Sequence, residues 1–123
     1  MRTAIVVDDS RAIRMILSRT LRELGFEVRE AGNGIEALSV LSAGPRADLV
    51  MADWNMPVMD GLELLRNIRS DSAFSTVPVV MVTTEAEVDQ MTMALAAGAT
   101  EYIMKPFTTE ILAGKLRMAG LVE

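Results

Sequence analysis

The stretch "DLVMADWNMP", residues 48–57, decides the architecture. Leu49, Val50, Met51 and Ala52 form an apolar run that ends abruptly on Asp53. Trp54 follows, and Pro57 blocks any continuation of a ladder or helix. So short an apolar run suits a strand buried on both faces, as in a parallel sheet. A core strand ends on an aspartate either because strands turn into polar loops or because chemistry sits at the end of the sheet. The other strands discriminate between these.

Similar runs occur at 3–7 ("TAIVV"), 27–31 ("EVREA"), 79–82 ("VVMV") and 101–104 ("EYIM"). Segments of helical period lie between them. Ile13, Ile16, Leu17, Leu21 and Leu24 make an i, i+3/i+4 stripe between Ser10, a candidate N-cap, and Gly25, a candidate stop. Leu62, Leu65 and Ile68 repeat the pattern, as do Val88, Met91 and Leu95, and Ile111, Leu112 and Leu116 after Thr108 or Thr109. The segment 34–42, with Ala37, Leu38 and Leu41, is weaker. Strand alternating with helix predicts an α/β fold with helices on both faces of a parallel sheet. The second strand is polar enough for an edge. A flavodoxin-like, doubly wound (βα)5 sheet of order 2-1-3-4-5 is therefore expected.

Composition removes several function classes. The chain of 123 residues suits one domain. Its net charge of −5 argues against a general nucleic-acid surface. No apolar run approaches the length needed to span a bilayer, and Asp8 and Asp9 come too early for a secretory signal, so a cytoplasmic protein with no membrane partner is expected. With no histidine and no cysteine there is no serine-histidine triad, thiolate metal site or disulfide framework. Chemistry must come from carboxylates, hydroxyls, lysine and arginine.

Such groups follow the strands. Asp8 and Asp9 come after the first, Asp53 after the third, Thr83 and Thr84 after the fourth, and Lys105-Pro106 after the fifth. In an open parallel sheet these ends share one edge, and sites form where the strand order reverses, here between strands 1 and 3. Taken singly, each group has an ordinary explanation as a cap, a turn or a loop. Their joint placement favours a site. Two carboxylates about 4 Å apart repel by roughly 4 kcal/mol at an effective dielectric of about 20, so the cluster calls for a cation. Mg²⁺ takes oxygen ligands and binds through one or two carboxylates plus a phosphate. Asp53 could then be ligand and nucleophile together, forming an acyl phosphate, with Lys105 and Mg²⁺ neutralising charge and Thr83 holding a phosphoryl oxygen.

The motifs "VVDDS" (6–10), "MADWNMPVMDG" (51–61), "VMVTTE" (80–85) and "GATEYIMKPF" (98–107) together closely resemble the receiver domain of bacterial response regulators, most of all the stand-alone chemotaxis type. The resemblance covers essentially the whole chain, so residues 1–123 are expected to be one receiver domain with no output domain. It implies that Asp53 accepts the phosphoryl group and that Asp8, Asp9, Asp53 and the Asn55 carbonyl hold Mg²⁺. It implies that Thr83 and Lys105 are the catalytic hydroxyl and ammonium, that Lys105-Pro106 is cis, and that Thr83 and Tyr102 form the switch. The donor would be a phosphohistidine on a partner histidine kinase. Asn55, Thr84 and Glu85 occupy lifetime-tuning positions. Asn55 and Glu85 resemble the fast-cycling pattern, and Thr84 is larger than the small residue common at its position. A protein that is monomeric when unphosphorylated is implied.

Downstream partners of chemotaxis regulators dock on the fourth helix, fifth strand and fifth helix. Here the fourth helix opens "EAEVDQM" (85–91), acidic at Glu87 and Asp89, where the enteric flagellar-motor regulator has lysines. Acids at a helix N-terminus also have a plain polarity explanation. A flagellar motor-switch partner is therefore a weaker implication than the phosphochemistry. The chain is expected to catalyse only its own phosphorylation and dephosphorylation. Other functions are a receiver cut from a larger regulator with DNA-binding output, and an aspartate-nucleophile phosphatase. The phosphatase class usually has a second aspartate where Asn55 stands, and a cap domain. A flavin or nucleotide domain would need a glycine-rich loop where Asp8 and Asp9 stand. "MDG" (59–61), Trp54 beside its turn and the many methionines read as turn and core, with Trp54 partly exposed.

Overall fold

Alternation along each strand sorts the core into two layers. In a computed structural model, which describes residues 2–84 and 88–122, β1 (Arg2–Val7) sends Ala4 and Val6 to one face of the sheet and Ile5 and Val7 to the other. β2 (Phe26–Ala31), β3 (Leu49–Asp53), β4 (Val79–Thr83) and β5 (Glu101–Met104) complete a five-stranded parallel sheet of order β2-β1-β3-β4-β5. The flavodoxin-like order expected from the sequence is the one observed.

The helices cover both faces. α1 (Arg11–Glu23) and α5 (Thr109–Met118) pack Leu17, Leu21, Leu112 and Leu116 against Ala4, Val6, Leu49, Met51, Val80 and Val82. α2 (Gly34–Ala43), α3 (Gly61–Ser70) and α4 (Val88–Ala96) cover the opposite face, where Ala37, Leu41, Leu62, Leu65, Ile68 and Ala94 meet Ile5, Val7, Val50, Ala52 and Met81. β3 and β4 are buried along their whole length, which is why they read as unbroken apolar runs. Trp54 is buried in the α2–α3–α4 layer, which corrects its expected partial exposure.

Side-chain oxygens start the helices, at Ser10 and Thr108 as the sequence signals and at Asp60 without such a signal. Ser10 accepts from the Ile13 N–H, Asp60 from Glu63, and Thr108 from Ile111. Gly25, past the C-cap of α1, has φ +97°. Among the described residues, three members of the expected stripes are not core: Ile16, Leu95 and Ile111 are about half exposed. In the first stripe Leu17 and Leu21 are buried and Ile13 and the C-cap Leu24 are partly so, which covers the face against the sheet and leaves Ile16 exposed.

Candidate functional site

The parallel register brings the carboxyl ends of β1, β3, β4 and β5 to one edge, and the candidate groups gather there. Asp53 is the last residue of β3, paired with Val82 of β4. Asp8 continues the line of β1, its N–H donating to the Ala31 carbonyl (3.1 Å). Thr83 closes β4 and is paired with Met104; its carbonyl accepts the Lys105 N–H (2.8 Å). Lys105 is joined to Pro106 by a cis peptide bond, as the resemblance implied.

Asp8, Asp9 and Asp53 each offer a carboxylate oxygen, and these atoms lie within 4.8 Å of one another. Asp8 and Asp53 are buried and Asp9 is exposed, so the cluster opens to solvent on one side. The Lys105 ammonium stands 2.9 Å from Asp8 Oδ2 and 3.5 Å from Asp53 Oδ1. The other Asp8 oxygen accepts the Ser10 N–H (2.8 Å), and the Arg14 guanidinium donates to the Asp8 carbonyl (2.6 Å). Arg14 also pairs with Glu30 (3.2 Å).

Burial pushes the Asp53 carboxyl above its ordinary pKa; Lys105 opposes that shift, the charge of Asp8 adds to it, and the Asn55 N–H opposes it. The site thus holds more negative charge than one ammonium balances. Oxygen atoms around a hexacoordinate Mg²⁺ at about 2.1 Å are separated by about 3–4 Å. The three carboxylates are near that spacing, and their hard oxygen donors fit such an ion.

The loop after β3 is held tightly. Gly61 donates its N–H to the Trp54 carbonyl (2.8 Å), and a Cβ at Gly61 would collide with the Asp53 carbonyl oxygen. Val58, 80% exposed, adopts φ +71°, a left-handed backbone that is costly for a β-branched residue. Sequence reasoning took "MDG" as turn and core and passed over both constraints. It also missed Arg14. The glycine directly after the helix-capping Asp60 is the signal that could have singled out Gly61.

The remaining expected residues separate by burial. Thr83 is fully buried, and Tyr102 is buried with its backbone beside Met81. Thr84 is exposed at the rim. Glu85 and Glu87 lie outside the described residues.

Comparison with known proteins agrees with this geometry. The family described as "Response regulator receiver domain" matches residues 4–117. The Helicobacter pylori "Chemotaxis protein CheY1" is 45% identical over 115 residues, 93% of either chain. The Campylobacter jejuni "Chemotaxis protein CheY homolog" is 42% identical over 113 residues, 91% of this chain and 87% of that one. Among solved structures, the chemotaxis protein CheY4 of Vibrio cholerae superposes with a TM-score of 0.90 at 38% identity, covering 97% of this chain and 98% of that chain. With its 2-1-3-4-5 sheet and three aspartates at the carboxyl edge, the chain belongs to the response regulator receiver family, alongside chemotaxis regulators of the CheY type.

Proposed function

We propose that this chain is a phosphoacceptor response regulator in which Asp53 takes a phosphoryl group from a phosphohistidine on a partner kinase. The observation that carries this reading is the convergence of Asp8, Asp9 and Asp53 within 4.8 Å, with Lys105 bridging two of them. Asp8, Asp9, Asp53 and the Asn55 carbonyl would hold Mg²⁺. When bound, Mg²⁺ supplies charge neutralisation and oxygen coordination at the phosphoryl group. An Asp53 oxygen attacks phosphorus, and the histidine nitrogen departs with the electron pair of the broken P–N bond. Lys105, already 3.5 Å from Asp53, turns its ammonium to the new phosphoryl oxygens. The protein modifies only itself and acts as a signalling module.

The added charge, about −1.5 to −2, becomes an output through a two-state element. Thr83 and Tyr102 are the proposed element. The buried Thr83 hydroxyl turns toward the phosphoryl group, and Tyr102 responds on the neighbouring strand. The responding face is α4–β5–α5, where Met91, Tyr102, Met104, Ile111 and Lys115 line a recess of about 300 Å³. Chemotaxis is the proposed pathway, on the names of the relatives above, and a flagellar motor-switch protein is the downstream partner it implies. Asp89 at the head of α4 makes this face less basic than a lysine-rich one, so contact would rest on the apolar recess and Lys115. A cytoplasmic monomer goes with this reading.

The test uses Trp54, the one tryptophan, next to Asp53. Mg²⁺ and then beryllofluoride, an acyl-phosphate mimic, are added while its fluorescence is followed and binding is measured by calorimetry. Responses to both in wild type, with the beryllofluoride response lost in Asp53→Asn, are expected. No binding of either by calorimetry would refute the reading.

A further inference from the structure

Next to the acidic corner, Ile13, Ile16, Thr84, Lys105, Pro106 and Phe107 line a recess of about 380 Å³. That volume lies in the range of small-molecule sites, and four of the six lining residues are apolar, the others being Thr84 and Lys105. Ile16 contributes a side chain that α1 does not need for its core, 55% exposed although isoleucine favours burial. Asp53 continues the Leu49–Met51 alternation, the set that faces α1 and α5, so its side chain starts from the face of the sheet on which this recess opens. Lys105 joins the two places: the residue helps line the recess, and its ammonium stands 3.5 Å from Asp53 Oδ1.

We propose that this recess is a leaving-group subsite that takes the hydrocarbon part of a small acyl phosphate, so that the chain prefers donors with an apolar group larger than the methyl of acetyl phosphate. The proposal rests on Asp53 being the phosphoacceptor. The step balances without a proton or redox partner. An Asp53 oxygen forms a bond to phosphorus, the bond from phosphorus to the acyl oxygen breaks, and the donor leaves as a free carboxylate carrying that electron pair. Lys105 is placed to steady the departing carboxylate while the apolar group rests against Ile13, Ile16 and Phe107. Each methylene fully removed from water favours binding by about fourfold. A phenyl ring, only partly covered here, should gain about tenfold over methyl.

Labelling of Asp53 is measured by intact-protein mass with Mg²⁺ and equal sub-saturating concentrations of acetyl phosphate or benzoyl phosphate. Comparing the benzoyl-to-acetyl rate ratio between wild type and Ile16→Ser cancels the intrinsic reactivity of the donors. Ile16 is exposed, so the substitution leaves the core intact. The ratio is expected to fall about two- to threefold in Ile16→Ser, since Ile13 and Phe107 keep the rest of the contact. In Asp53→Asn, benzoylphosphonate, whose P–C bond cannot transfer, should shift the methyl resonances of Ile13 and Ile16. An unchanged ratio and unmoved methyl signals overturn the subsite, and that is also the result if the recess serves only an apolar side chain of a protein donor. The two readings fail separately: beryllofluoride binding with an unchanged ratio sinks the subsite alone, whereas no binding and no labelling by either donor sinks the phosphoacceptor reading as well.

Discussion

Lys105 Nζ stands 2.9 Å from Asp8 Oδ2, an ion pair between residues 97 positions apart in the chain. Asp8 is almost wholly buried and Lys105 is mostly so. Removing one member of such a pair strands the other charge. Lys105→Met is expected to lower stability in metal-free buffer by about 3 kcal/mol. It should also tighten Mg²⁺ binding several-fold, because the ammonium and the ion compete for the same carboxylates. Urea denaturation with EDTA and with Mg²⁺ measures both effects. Equal losses of stability in the two buffers would show that no such competition exists.

The raised pKa of Asp53 has a consequence for stability. A carboxyl whose folded-state pKa lies above its unfolded value contributes most below the ordinary carboxylate range, and that contribution is lost as pH rises through the folded pKa. Asp53→Asn should therefore melt higher than wild type at neutral pH without metal. The advantage should shrink as pH falls toward the ordinary carboxylate value. Melting curves across pH, in EDTA, check the sign. An advantage that grew on acidification would contradict the burial argument.

Val58 holds a left-handed backbone at φ +71°. That conformation costs an L-residue about 1–2 kcal/mol, and glycine returns part of the gain through its greater unfolded-state entropy. Val58→Gly is expected to stabilise the protein by about 0.5–1 kcal/mol. Its exposed side chain gives up little packing. Chemical denaturation measures the difference, and a net loss would mean that the valine side chain matters more than its backbone.

Thr84 is exposed at the rim of the recess that Lys105 also lines. Thr84→Ala should widen access and speed labelling by acetyl phosphate several-fold. An unchanged rate would place the bottleneck elsewhere.

The amide of Asn55 and the carboxylate of Glu85 resemble the pattern of fast-cycling regulators. The Asp53 phosphate is expected to decay within seconds to minutes. Following loss of label after removal of the donor checks this, and survival for many hours would count against it.

Much of this protein was legible in the order of its residues. Short apolar runs and stripes of helical period marked ten elements, because burial on both sheet faces or along one helix face shows in neighbouring residues. Ser10, and Thr108 or Thr109, announced helix starts, and Ser10 and Thr108 make a capping bond that spans only three residues. The polar groups that end β1, β3, β4 and β5 pointed to a shared edge, because parallel strands end on the same side.

Tertiary structure decided what depends on distant neighbours. The exposure of Ile16 and Ile111 and the burial of Trp54 depend on which face each helix or loop turns to the sheet, which a local period does not specify. The Arg14 contact to the Asp8 carbonyl, the backbone crowding at Gly61 and the left-handed turn at Val58 are local in the chain, but no apolar period marks them. The sequence determined which groups stand at the carboxyl edge. Packing across the sheet determined their separations and their desolvation, and through these the raised pKa of Asp53 and the recess beside Lys105.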